Sequence, residues 1–187
     1  MPFKTFAEMA EYGKKNPGNI RIGTVGPGSG GHFTVEIVNS LSTADMTMIP
    51  FKGAGPAVTA ALGGHIEGAV TAQGVVAEHL KAGTMRGIVA STRMPEFPQI
   101  PTLAQLGHEH NLLGVWAAFF APAGVSTEVS KTLIAALEKV VKDPAVAARL
   151  ANLGMVADYE PPDKLMAEIR EEHRTVEQIA NKAGLIK

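Results

Sequence analysis

Cysteine is absent from all 187 residues, which excludes a disulfide framework and thiol catalysis and removes the soft ligands usual for structural zinc. An excess of one charge is lacking too. With 17 basic against 18 acidic side chains there is no electrostatic reason to expect nucleic acid or an anionic membrane as partner. The stretch Met1 to Tyr12 mixes acidic and basic groups and has no long apolar run, so it is expected to be neither signal peptide nor transmembrane helix.

Assembled catalytic motifs are missing as well. A phosphate-binding P-loop needs Lys and then Ser or Thr where Gly31 is followed by His32 and Phe33. The nucleophile elbow G-x-S-x-G fails at Pro27, no H-E-x-x-H occurs, and no motif places a pair of carboxylates. His108-Glu109-His110 is the one metal-like cluster, and alternating residues on a loop without further ligands nearby make a weak site. No metal and no cofactor are expected.

What is present is glycine, concentrated at Gly26-Pro27-Gly28-Ser29-Gly30-Gly31-His32 between an apolar run, Ile20 to Val25, and an amphipathic segment, Phe33 to Leu41. That order reads as strand, glycine loop and helix start. Without Cβ atoms the loop lets a ligand approach its main chain, and the first helical turn offers N–H groups with a partial positive charge. Together they suit a carboxylate or phosphate. Ser29 is placed as N-cap, accepting from the N–H of Gly31 or His32, and His32 in the first turn reads as a neutral hydrogen-bond donor. Gly26, Gly28 and Gly31 also satisfy the bare G-x-G-x-x-G spacing, which keeps open an alternative: a nucleotide-dependent enzyme using the loop for a pyrophosphate. The acidic residue expected to close the second strand is missing, since Asp45 precedes that strand and Lys52 follows it.

In chain order, Thr5 caps a first helix, Asn16-Pro17-Gly18 stops it, and Met46 to Phe51 is a second strand entering another glycine-rich turn, Lys52-Gly53-Ala54-Gly55-Pro56. Pro56 suits the first helical position, and Gly63-Gly64 ends the helix. Ile66 to Val70 reads as a third strand, with Thr71 and Gln73 just past its carboxyl end, where open α/β sheets bind ligands. A helix from Val75 to Ala82 and a fourth strand, Met85 to Ser91, follow. The alternation argues for a mostly parallel, helix-covered sheet. Asn111 to Ala121 reads as a dense apolar strand with Trp116 as a core aromatic, and from Ser126 the chain turns helical, apart from a short strand at Met155 to Ala157. Asp143-Pro144 and Asp163 open the later helices. One strand with three helices cannot complete a sheet-based domain, so something else must pair with it.

These segments, together with Pro50-Phe51-Lys52-Gly53, Leu62-Gly63-Gly64, His79-Leu80-Lys81-Ala82-Gly83 with Arg86, Pro98-x-x-Pro101-Thr102 and Trp116 through Gly124, resemble the substrate-binding proteins of the tripartite tricarboxylate transporter family, the TctC or Bordetella-uptake-gene type. No single segment is diagnostic, but their order and spacing over essentially the whole chain are specific.

The resemblance implies an α/β, periplasmic, venus-flytrap binding protein of type II character that is not an enzyme. Such a protein captures a small di- or tricarboxylate, or related organic acid, between lobes for the membrane subunits of its transporter. It implies one complete lobe over residues 1–113 and a mainly helical remnant of the other over 114–187, as in a chain truncated at its amino terminus. A homodimer through the incomplete lobe, and weak or no ligand binding without the opposite lobe, follow as expectations. Family and loop together nominate Gly28, Ser29, Gly30, Gly31, His32, Lys52, Gly53, Thr71 and Gln73 as ligand contacts. Many members carry an acidic residue or asparagine where this chain has Thr71.

Overall fold

The computed structural model describes residues 2–108, 112–114, 116–152 and 155–182. Two compact units divide the chain, Met1–Val115 with Thr175–Lys187, and Trp116–Arg174.

The first unit opens with helix α1, Phe6–Lys15, capped by the Thr5 hydroxyl, which accepts from the Glu8 N–H. Phe6 and Met9 turn from its apolar stripe into the core. Strand β1, Arg21–Thr24, leads through the glycine loop into helix α2, Gly30–Ser42; strand β2, Thr47–Pro50, leads into α3, Ala54–Leu62; strand β3, Gly68–Ala69, leads into α4, Gln73–Lys81. The sheet order is β2-β1-β3 and both pairings are parallel, Thr24 standing opposite Pro50 and Gly23 opposite Ala69. Parallel strands need crossovers, and α2 and α3 supply them.

Ile20, Ile22, Val35, Ile37, Val38, Met46 and Leu103 fill the core, and Ile179 near the chain's end packs against it. Because β1 is central, close approach there is tight: a Cβ on Gly23 would lie 2.8 Å from Ile66 and 2.9 Å from Ala57. Arg21 and Glu67 tie β1 to the residue before β3 with a two-pronged ion pair.

The sheet is smaller than the sequence implies. Met85 to Ser91, expected as a fourth strand, makes a single parallel bridge, Ala90 with Thr102, in which the Ala90 N–H donates to the Pro101 carbonyl. The segment packs by side-chain fit instead, with Gly87 against Ile100. The third strand shortens to two residues, α2 begins at Gly30 directly after its Ser29 cap, and α3 begins two residues before Pro56. At that third helical position the missing proline N–H still falls among those with no intrahelical partner.

The second unit contains helices α5, Thr127–Val141, and α6, Pro144–Asn152, together with most of α7, Pro162–Lys182. Ser126 caps α5, and the Asp143 carboxylate accepts from the Ala145 N–H at 2.7 Å, as the Asp-Pro pair predicts. The apolar strand expected over Asn111 to Ala121 is not formed among the described residues, and neither is the one at Met155 to Ala157. Hydrophobic content alone cannot make a strand: its N–H and C=O groups need a neighbouring strand, and none is offered among the described residues. Trp116 is therefore no core residue. It is 49% exposed, and its indole N–H donates to Glu172 on α7 at 2.7 Å.

Candidate functional site

Three parallel strands ending in register put three loops on one edge. Residues 25–29 follow β1, residues 51–53 follow β2, and residues 70–72 follow β3. Each loop enters a helix, so the amino-terminal ends of α2, α3 and α4, with their unsatisfied N–H groups and partial positive charge, gather at that edge. Every nominated residue lies there: Gly28, Ser29, Gly30, Gly31 and His32 beyond the central strand, Lys52 and Gly53 on one side, Thr71 and Gln73 on the other.

The glycine loop is largely bonded to itself. Thr24, fully buried at the end of β1, accepts the Gly26 N–H at 3.1 Å. Gly28 takes a left-handed φ of +75°, open to glycine without strain, and its N–H donates to Nδ1 of His32 at 3.1 Å. The Ser29 N–H donates to the Gly26 carbonyl at 3.3 Å and its hydroxyl to the same carbonyl at 2.7 Å. That hydroxyl also accepts the His32 N–H at 3.2 Å, which is the N-cap bond foreseen from sequence. The Phe33 N–H reaches the Ser29 carbonyl at 3.1 Å.

Two amides are left over. Gly30 and Gly31 make no N–H bond among the described residues, and a Cβ on Gly30 would meet nothing within 4 Å. Gly31 instead lies against the end of β1, where an added Cβ would sit 3.1 Å from Thr24.

His32 lies in the first turn of α2. It is 7% exposed, its Nδ1 is an acceptor, and the remaining ring nitrogen lies 3.8 Å from Glu36 one turn along. Neither Glu36 nor Thr24 was nominated from sequence, although the i,i+4 spacing of His32 with Glu36 and of Gly28 with His32 is a legible signal.

On the flanks, Lys52 is exposed and pairs with no carboxylate among the described residues. Gly53, with φ of +155°, forms the N-cap of α3 without a side-chain bond, and Ala72 caps α4 likewise, so neither helix start has a capping hydroxyl or carboxylate of its own. Gln73 gives its amide to Glu96 at 3.3 Å, a partner 23 residues away that no local pattern could reveal. The Thr71 hydroxyl oxygen is sealed from solvent and has no partner among the described residues.

Comparison with known proteins bears on this arrangement. The model of the tripartite tricarboxylate transporter family receptor matches residues 1–185. The chain belongs to that family. It is 30% identical over 161 residues to protein BugT of Bordetella pertussis, a match covering 85% of this chain and 49% of BugT. Among solved structures, one described as a periplasmic transporter is 29% identical with a TM-score of 0.84, covering 98% of this chain and 62% of that one. MatC from Rhodopseudomonas palustris, solved with bound malate, is 27% identical with a TM-score of 0.75, covering 95% of this chain and 62% of that one. The chain thus spans about half the length of BugT. The fold is that of the periplasmic binding proteins, an α/β unit around a parallel sheet with a mainly helical second unit. No helix among the described residues is long and apolar enough to cross a membrane, and none of their acidic and histidine side chains cluster in a metal-binding group. Glu109 and His110 of the tempting loop cluster lie outside the described residues; His108 packs edge-on against Phe6.

Proposed function

We propose that this receptor-family chain captures a small organic carboxylate at the carboxyl edge of its parallel sheet and acts by binding rather than by chemistry. Its partners are the acid itself and the membrane subunits of a tripartite transporter, and its working compartment is the periplasm, as the family's character supports. Residues 1–113, joined by the end of α7 from Thr175 onward, form the carboxylate-holding lobe, and the rest of 114–187 belongs to the other.

The observation that carries this reading is the pair of unspent amides, Gly30 and Gly31, in the first turn of α2 at the edge where α3 and α4 also begin. A carboxylate accepts two such N–H bonds and is further stabilised by the helix dipoles. Lys52 and the open turn at Gly53 contribute charge and room, Ser29 holds the loop's shape, and Thr71 and Gln73 bound the third side. A relative at 27% identity that holds malate supports the ligand class.

Isothermal calorimetry with malate, succinate, citrate and acetate on this chain tests the reading. Weak heat of binding for at least one acid, as expected of a single lobe, diminished further in Lys52→Gln and Gly30→Ala, is the expected result. Binding unaltered by both substitutions would place the acid elsewhere and defeat this site.

A further inference from the structure

The same loop that offers two amides holds a third one back. We propose that His32 is a positioning residue which withholds the Gly28 N–H from the anion site, leaving Gly30 and Gly31 as the loop's donors. The geometry has three parts. The Gly28 N–H points at Nδ1 of His32 at 3.1 Å, so that ring nitrogen is an acceptor and the neutral ring carries its proton on Nε2. Nε2 faces the Glu36 carboxylate at 3.8 Å, too far for a hydrogen bond but on the side where a negative charge favours a proton on that nitrogen. The ring itself is buried beside Phe33, with centroids 6.0 Å apart, so it has little freedom to swing away.

The consequence is selectivity by subtraction. The Ser29 N–H and hydroxyl are both committed to the Gly26 carbonyl, so with Gly28 withheld the loop presents two adjacent donors. Two donors match the two oxygens of a carboxylate. A tetrahedral phosphate or sulfate gains more from a loop that surrounds it with three or more, and this loop lacks the third that Gly28 would have supplied. The ligand side of this statement rests on the carboxylate-receptor reading above; the His32–Gly28 bond does not.

Amide hydrogen exchange and nitrogen NMR on the full chain decide the matter. In the native protein Gly28 exchanges about tenfold more slowly, relative to its intrinsic rate, than Gly30 and Gly31, as one intact hydrogen bond implies. The His32 ring shows an unprotonated Nδ1. His32→Leu, which has no acceptor, brings Gly28 to the rate of its neighbours. His32→Asn sets its side-chain oxygen where Nδ1 stood and restores the protection, a rescue that a purely space-filling role for the ring would not produce. A Gly28 that exchanges as fast as Gly30 in the native chain, or a proton on Nδ1, overturns the proposal; both are read on unsubstituted protein, so they hold even if a variant misfolds.

A malate titration followed at the same amides tests the ligand side. Shifts at Gly30 and Gly31 with Gly28 unmoved support the withholding, and an equal shift at Gly28 overturns it. If neither malate nor citrate moves any loop amide, the carboxylate reading of this edge fails while the exchange rates still decide the role of His32.

Discussion

Arg21 clasps Glu67 three times: its Nε donates to one carboxylate oxygen at 2.9 Å, its Nη2 to the other at 2.7 Å, and its backbone N–H to the first at 2.8 Å. The pair joins the start of the central strand to the residue before β3, at the sheet edge opposite the candidate site. A fork-on-fork arrangement of this kind fixes geometry better than a simple ion pair.

The Arg21 side-chain bond, aided by the Arg21 N–H and its charge, holds the Glu67 carboxyl below its ordinary range against a smaller opposing effect of burial. A depressed folded value means the unfolded chain takes up the proton first, at about pH 4.3. The stabilisation is therefore complete above that pH and is lost as pH falls through the folded value. Glu67→Gln is expected to lower Tm by a few degrees at neutral pH, and the gap to the native protein should close on acidification below the ordinary glutamate range. Thermal denaturation across pH measures it; a gap independent of pH would show that the pair's charge contributes nothing.

Two glycines pack so closely that an added methyl group reads out what surrounds them. A Cβ on Gly13 of α1 would fall 2.0 Å from the backbone oxygen of Ala44, and one on Gly87 would fall 2.1 Å from Cδ1 of Ile100. Backbone cannot step aside, whereas the tip of an isoleucine can. Gly13→Ala is expected to cost about 3 kcal/mol or more, at the upper end of overpacking effects, and Gly87→Ala clearly less. Adding Ile100→Val should recover part of the Gly87→Ala loss, while no side-chain trimming rescues Gly13→Ala. Urea denaturation of the four proteins tests the ranking.

How much of this was legible beforehand varies with the range of the interaction. The loop, its Ser29 cap, the Thr5 and Asp143 caps and the gathering of three loops on one edge follow from residue order alone, because caps and glycine turns are local. Strand content was overread. Ile88 and Val89, or Phe119 and Phe120, carry the composition of strands, yet strand formation depends on a partner that composition does not reveal. Phe119 ends 80% exposed. At the candidate edge, the placement of each residue in the fold was readable and the pairing of its donors was not. Nothing in the glycine pattern says that the Gly28 and Ser29 donors would be spent within the loop, since that depends on which way a buried ring and a backbone carbonyl point.

Gly30 allows site and stability to be separated. It occupies the first position of α2 with open space where a Cβ would go, and its φ is outside the left-handed region. Alanine there should be tolerated or should stabilise the fold by about 0.4–1 kcal/mol, through a less flexible unfolded chain. If an acid group docks on the Gly30 and Gly31 amides, the same methyl group obstructs it. Gly30→Ala is thus expected to melt at or above the native temperature while losing carboxylate affinity in calorimetry. Equal loss of both would mean that the position serves the fold rather than the ligand.

Threonine hydroxyls at the sheet edge predict opposite signs for one substitution. Thr24 Oγ1 accepts the Gly26 N–H at 3.1 Å, so Thr24→Val leaves that amide unpaired beside a buried strand end and should cost about 1–3 kcal/mol. Thr71 Oγ1 is equally shut off from solvent but bonds to nothing among the described residues. Valine keeps the branched shape and removes a buried polar atom that gains nothing from its surroundings, so Thr71→Val should leave Tm unchanged or raise it. Paired melting curves decide between the two assignments. A Thr71→Val protein that loses as much stability as Thr24→Val would mean that the Thr71 hydroxyl does find a partner in the folded chain, and that it belongs to the framework of the β3 loop rather than to an unfilled position beside the ligand edge.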